Sequence, residues 1–184
     1  VLLEFLNVSI DQQGFTPTSY KDAHKKGVRA LTDWHARNAE GYEFNALCEK
    51  KFEVYFPIED AVIPQVLLRG LIDVIEFGGD GSVRVIDYKT GKHKSRNEIE
   101  GGTKNATGDY KRQLNFYCIL LELAQMQQPS RLSLEFIEPD PSGKTVLHDF
   151  AFDAANVTEL KQTIARVAGE IYSVLQRERG ITSL

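Results

Sequence analysis

The chain has 184 residues, 42% hydrophobic and 26% charged, with a formal net charge of −4 at pH 7. A chain of this size and balance forms a soluble globular protein that buries a core without staples, and no apolar run approaches the ~20 residues of a membrane span. The negative balance excludes bulk charge as the means of binding nucleic acid, although a local basic patch still can.

The two cysteines, Cys48 and Cys118, stand far apart with no CxxC or histidine-rich neighbourhood. They read as buried free thiols and give no thiolate metal site. No basic-plus-apolar leader opens the sequence, so a reducing, cytoplasmic setting is the expectation. VLLEFLNV opens without Met and ERGITSL closes straight after a helical pattern, as in a piece of a larger protein.

In chain order, Leu2, Leu3, Leu6 and Val8 suggest a short amphipathic helix, and DQQGFTPTS a loop. Ser19 is placed to cap a helix over 20–39, with Ala23, Gly27, Ala30, Leu31 and Trp34 on one face. Lys25, Lys26 and Arg29 on that helix read as a solvated face. ALCEKKFEVYFPI (46–58) alternates as a half-buried strand, VLLRGLIDVIEF (66–77) is a second strand, and SVRVIDYKT (82–90) a third. GGDG (78–81) joins the last two as a hairpin turn, so the three strands form an antiparallel meander. The stretch 91–109 is polar, glycine-rich and without periodicity, which predicts a mobile or functional loop. YKRQLNFYCILLELAQM (110–126) is a strong helix. Strands follow at 131–138 and 145–152, then a helix over 156–179 capped by Asn156 or Thr158. This order predicts an α/β or α+β layered fold with helices covering a sheet.

Chemistry gathers on the hairpin. Asp73 and Asp87 are each about seven residues from a turn centred near residue 80, so they are expected as cross-strand neighbours. Opposed carboxylates repel unless a cation neutralises them, and Lys89 lies on the same strand face as Asp87. A divalent cation offsets both acids, and oxygen ligands of this kind suit magnesium or manganese. A lysine beside such a metal assists a bound water and neutralises charge on a phosphate. Taken alone, D-x-K is a weak signal and reads as a salt bridge. Gln113 and Tyr117, four apart, share one helix face. Glu49 reads equally as a further metal or water contact and as an exposed strand glutamate. Lys92, Lys94 and Arg96, with Lys89 and His93, form a local basic cluster suited to phosphate contacts.

LRGLIDVIEFGGDGSVRVIDYKTGK followed by YKRQLNFYCILL closely resembles the PD-(D/E)xK nuclease superfamily, and most of all its RecB-type modules fused to UvrD/Rep-like or AddAB-type helicases. The motifs that carry the resemblance are Gly70/Asp73, Asp87/Lys89/Thr90/Gly91 and Gln113/Tyr117, within about residues 20–140. It implies a restriction-endonuclease-like core: a mixed central sheet, the three-strand meander plus further strands, flanked by helices. It implies that Asp73 and Asp87 bind the metal with the backbone carbonyl of Tyr88, and that Lys89 is the catalytic lysine. Gln113 and Tyr117 would border the active site. The family's early G-x-x-x-H is not matched by His24 or His35, and VLLEFLN looks like the residues just after such a histidine, which places it before Val1. An iron–sulfur cluster, which some relatives carry, is not supported within this chain.

The function expected is magnesium- or manganese-dependent DNA hydrolysis. The 184 residues would form one nuclease domain, its core motifs at 46–138, that acts as the exonuclease module of a helicase–nuclease in repair and recombination. Its partners would be single-stranded DNA ends and helicase motor domains, with no membrane. No GxxxxGK[ST] occurs, so any ATP-driven motor lies elsewhere in the parent. The alternatives are a catalytically silent nuclease fold that binds DNA or partners, and a stand-alone CRISPR-associated RecB-like nuclease.

Overall fold

The structure is a computed structural model that describes residues 2–38, 45–59, 63–138 and 145–178. Two helices open it, α1 (Leu2–Asp11) and α2 (Pro17–Asn38), packed against each other as a hairpin. The cap of α2 is Thr16 rather than Ser19: its Oγ1 accepts the Ser19 N–H at 3.3 Å, and its carbonyl accepts the Tyr20 N–H at 2.8 Å. Proline decides the boundary, because Pro17 at the first helical position has a φ already suited to the helix and no N–H to lose.

Among the described residues five strands form one sheet in the order β1 (Ala46–Pro57), β2 (Gln65–Phe77), β3 (Val83–Lys89), β4 (Arg131–Phe136), β5 (Val146–Ala151). The first three are the antiparallel meander expected, with Val74 opposite Ile86 and Phe77 opposite Val83. At the turn Gly81 adopts φ +80, a backbone that side chains resist. β4 then pairs parallel to β3, and β5 antiparallel to β4. A parallel partner needs a long crossover, and the connection between β3 and β4 carries a short helix, α3 (Arg96–Ile99), and then α4 (Asp109–Leu123). A closing helix, α5 (Ala154–Glu178), packs beside α4.

The core lies between the sheet and α4. Leu114, Cys118, Ile119, Leu120 and Leu121 pack with Ile72, Ile75, Val85, Leu132, Leu134 and Phe136. Gly70 lets α4 approach β2 closely, since a Cβ there would stand 2.4 Å from Leu120 Cδ1. α4 stops three residues earlier than its apolar pattern suggests, and Gln125 just beyond it takes φ +56. Burial pushes the Cys118 thiol up to about 12, so it is an inert core group. Cys48 departs from expectation: it is exposed, in a run from Leu47 to Lys51 in which side chains on both faces of β1 are uncovered.

Two further expectations are corrected. Asp153 caps α5, in place of Asn156 or Thr158: its Oδ1 accepts from the N–H groups of Ala155 (3.0 Å) and Asn156 (3.2 Å). The 91–109 stretch is not featureless. Ser95 and Glu98 form a reciprocal capping box that starts α3, and Ile99, 1% exposed, anchors it in the core. The S-x-x-E signature was present in the sequence, but a four-residue helix gives no apolar period to betray it.

Candidate active site

The candidate site sits where the sheet opens at the C-terminal end of β3. Asp73 continues the register of β2 and β3 one step beyond Val74–Ile86, which sets it across from Asp87, as counting from the turn anticipates. The ladder does not continue there. The Asp73 side chain takes the place of a backbone partner, its Oδ2 accepting the Tyr88 N–H at 2.8 Å. On the other side, β1 and β2 are paired at Cys48–Val74 and again at Lys50–Ile72, but not at Glu49–Asp73. Glu49 sits at φ +51, a left-handed conformation that costs a non-glycine residue about 1 kcal/mol. Ile72 and Ile75, three apart, are both fully buried, so β2 loses its two-residue alternation around Asp73. The acids stand at a fault in the sheet, and strain of this kind collects at functional sites.

Asp87 is 2% exposed and stands within a ring of polar contacts. Tyr117 Oη donates to Asp87 Oδ1 at 2.6 Å, Gln113 Nε2 donates to Tyr117 Oη at 2.7 Å, and Lys89 Nζ donates to Gln113 Oε1 at 2.6 Å. The circle closes with Lys89 Nζ 2.6 Å from Asp87 Oδ2. That last contact is an ion pair whose angles lie outside hydrogen-bonding geometry, so Oδ2 is buried with no hydrogen bond. The sequence spacings explain the ring. Asp87 and Lys89 share a strand face, and Gln113 and Tyr117 share the α4 face laid over it.

The electrostatics follow from this packing. Desolvation raises the Asp73 carboxyl above the usual carboxylate range. Asp87 and Glu49 push it further up, while the Tyr88 N–H and Lys89 pull it down. Desolvation, and then the hydrogen bond and charge of Asp87, raise the Tyr117 phenol far above its ordinary value, so it remains a proton donor to Asp87.

The remaining candidates separate. Lys92 is exposed in the loop after β3. Arg96 is committed within the fold: its guanidinium lies 4.3 Å from the Phe150 ring centroid and bonds the Asp149 carbonyl (2.9 Å) and Glu100 (3.1 Å). Lys94 turns toward the site, with Nζ 4.7 Å from the centroid of the Tyr110 ring. Sequence reasoning does not single out Tyr110; it lies three residues before Gln113 and seven before Tyr117, on the same helix face, and that spacing was the available signal.

A mixed sheet flanked by helices, with two acids and a lysine at the open end of a hairpin, defines the restriction-endonuclease-like class of α/β domains. The profile of the PD-(D/E)XK nuclease superfamily matches residues 4–179, and the chain belongs to that superfamily. No curated protein matches it significantly. Among solved structures, it is similar to a candidate exonuclease from Eubacterium rectale at 10% identity and TM-score 0.50, covering 98% of this chain and 66% of that one. It also aligns with SSO0001 at 16% identity and TM-score 0.44, over 78% of this chain and 62% of that one. The chain thus spans just under two thirds of the length of either structure, and at these identities the likeness shows the fold alone. Among the described residues, no helix is long and apolar enough to cross a membrane.

Nucleases of this superfamily generally use divalent metals, and the residues present can be tested against one. Asp87 Oδ2 keeps its lone pairs free of hydrogen bonds. In a strand the N–H and C=O of one residue point to the same side, so the Tyr88 carbonyl faces Asp73 as its N–H does. Among the described residues no three of the His, Cys, Asp and Glu side chains gather at one point, so Glu49, although in register with Asp73, is not drawn into a three-acid cage. Two carboxylates and a carbonyl, all oxygen, fit a hard cation that retains several waters, such as magnesium or manganese, and not a zinc site.

Proposed function

We propose that this chain is the catalytic domain of a magnesium- or manganese-dependent deoxyribonuclease that hydrolyses phosphodiester bonds exonucleolytically at single-stranded ends. Asp73, Asp87 and the Tyr88 carbonyl would hold the ion, and Glu49 would add negative charge beside Asp73. When bound, the ion supplies Lewis-acid stabilisation of the phosphate and an activated water. Lys89 Nζ, fixed by Gln113 and Asp87, places a cation where negative charge develops on the phosphate oxygens. Tyr117 and Gln113 are positioning residues: they hold Asp87 and Lys89 in one geometry before substrate arrives. The observation that carries this reading is the closed Asp87–Tyr117–Gln113–Lys89 ring beside Asp73. A salt bridge serving stability alone would need none of its other members.

The exonuclease mode is supported by the name of the Eubacterium rectale neighbour. A helicase motor as partner, in the same parent chain or complex, and a role in DNA repair and recombination are supported by the RecB-like order of motifs. The test is cleavage of end-labelled linear and covalently closed single-stranded DNA with magnesium or with EDTA. The reading expects digestion of the linear substrate only, with magnesium only, and none by Asp87→Asn. Digestion of closed circles would replace exonuclease by endonuclease action, and metal-independent cleavage would overturn the site.

A further inference from the structure

Lys92, Lys94 and Arg96 come closely after β3, and Lys94 is placed at the site by its contact with Tyr110. Lys94 Nζ and Lys89 Nζ each lie 4.7 Å from the centroid of the same Tyr110 ring. The two ammoniums are therefore no further apart than twice that distance. Two like charges around one ring are held there at a cost, which the ring quadrupole offsets in part. Lys89 has a counter-charge in Asp87. Lys94 has none: among the described residues no carboxylate lies within ion-pairing distance of it, and Glu98 feels only its field.

The segment that carries Lys94 is held in place. His148 Nε2 lies 2.9 Å from the Lys94 carbonyl, and since a carbonyl only accepts, that nitrogen carries the proton. His148 and Tyr110 both pack edge-on against Phe136, which is fully buried. Backbone and side chain of Lys94 are thus each tied to one rigid aromatic cluster on β4, β5 and α4. A lysine so fixed, unneutralised, and a ring's width from the catalytic lysine is prepared for an anion that lies alongside Lys89.

We propose that Lys94 is a phosphate-binding residue of this active site, held by Tyr110, and that it takes the backbone phosphate next to the one undergoing cleavage. The inference rests on the nuclease reading of the site. Lys94 grips substrate and transition state alike, so its loss raises KM and leaves kcat nearly untouched. Tyr110 is a positioning residue for both lysines, so removing its ring affects kcat as well.

The experiment measures binding of a labelled single-stranded oligonucleotide in EDTA across a salt series, and steady-state cleavage of the same oligonucleotide with magnesium. Lys94→Gln, an exposed substitution, is expected to lower the slope of log K against log salt by about 0.7, one phosphate contact on a single strand. It should also raise KM on the order of tenfold or more, as the loss of a charge-assisted contact predicts, with kcat near wild type. Tyr110→Phe keeps the ring and should match wild type in slope, while Tyr110→Leu should show the Lys94→Gln slope together with a lower kcat. If wild type binds and cleaves but Lys94→Gln changes neither slope nor KM, this inference is wrong and the nuclease reading stands. If the wild-type chain neither binds nor cleaves, both fall.

Discussion

At the scale of single residues, Asp73 and Asp87 are acids of opposite character. Asp87 is compensated on both oxygens, by the Tyr117 hydroxyl and the Lys89 ammonium, and its removal leaves Lys89 without its counter-charge inside a largely closed ring. Asp87→Ala is therefore expected to lose activity and some stability together. Asp73 is desolvated and faces two other acids, so its charge is a burden to the metal-free fold. Asp73→Asn keeps an oxygen for the Tyr88 N–H and removes that charge. Without metal its Tm should equal or exceed that of wild type, while magnesium-dependent cleavage disappears. A clear fall in Tm would show that the carboxylate stabilises the fold. Tyr117→Phe takes a hydroxyl donor from a buried carboxylate oxygen and should cost about 1–3 kcal/mol in a denaturant titration.

Elements set these residues against one another, and two contacts show how. α4 sits close on β2 because Gly70 has no side chain. Gly70→Ala brings a Cβ within 2.4 Å of Leu120 Cδ1, and overpacking of this kind costs about 1–3 kcal/mol. The measurement is the shift in denaturation midpoint, with an unchanged midpoint telling against the close approach. On the other side, α2 is moored to the C-terminal end of β4. Arg37 pairs with Glu135 at 2.8 Å and with Asp33 at 3.1 Å, and Asp33 accepts from the Thr145 hydroxyl and N–H. Desolvation pushes the Asp33 carboxyl up, but the hydrogen bonds from Thr145 and the charge of Arg37 outweigh it and hold its pKa below the ordinary value. A depressed carboxylate stabilises the fold above the unfolded pKa, near 4, and that contribution is lost as pH falls through the lower folded value. Asp33→Asn should therefore lower Tm at neutral pH and flatten its decline below about pH 4. Parallel Tm-against-pH curves for variant and wild type would contradict the mooring.

For the whole molecule, the parts legible in sequence were those close along the chain. The register of Asp73 against Asp87 came from a turn of known centre, and the Gln113–Tyr117 face from helical spacing. Contacts made by distant segments were not legible. The ion pair of Arg37 with Glu135, the Lys94 carbonyl held by His148, and the ring shared by Lys89 and Lys94 depend on how α2, β5 and α4 pack, which no local period encodes. Nor did the pattern of β4 reveal that it runs parallel to β3, since a buried strand reads alike in either direction. The left-handed backbone of Glu49 had no glycine to announce it. The central proposal is that Lys89 serves chemistry, with the ring holding it in place. The most direct test is single-turnover cleavage of labelled DNA at saturating magnesium by Lys89→Ala, beside calorimetric titration of the ion. A rate reduced on the order of 10²–10⁴ with magnesium affinity preserved is the predicted result. A fall of less than about tenfold, with a marked loss of Tm, would return Lys89 to the role of a salt bridge.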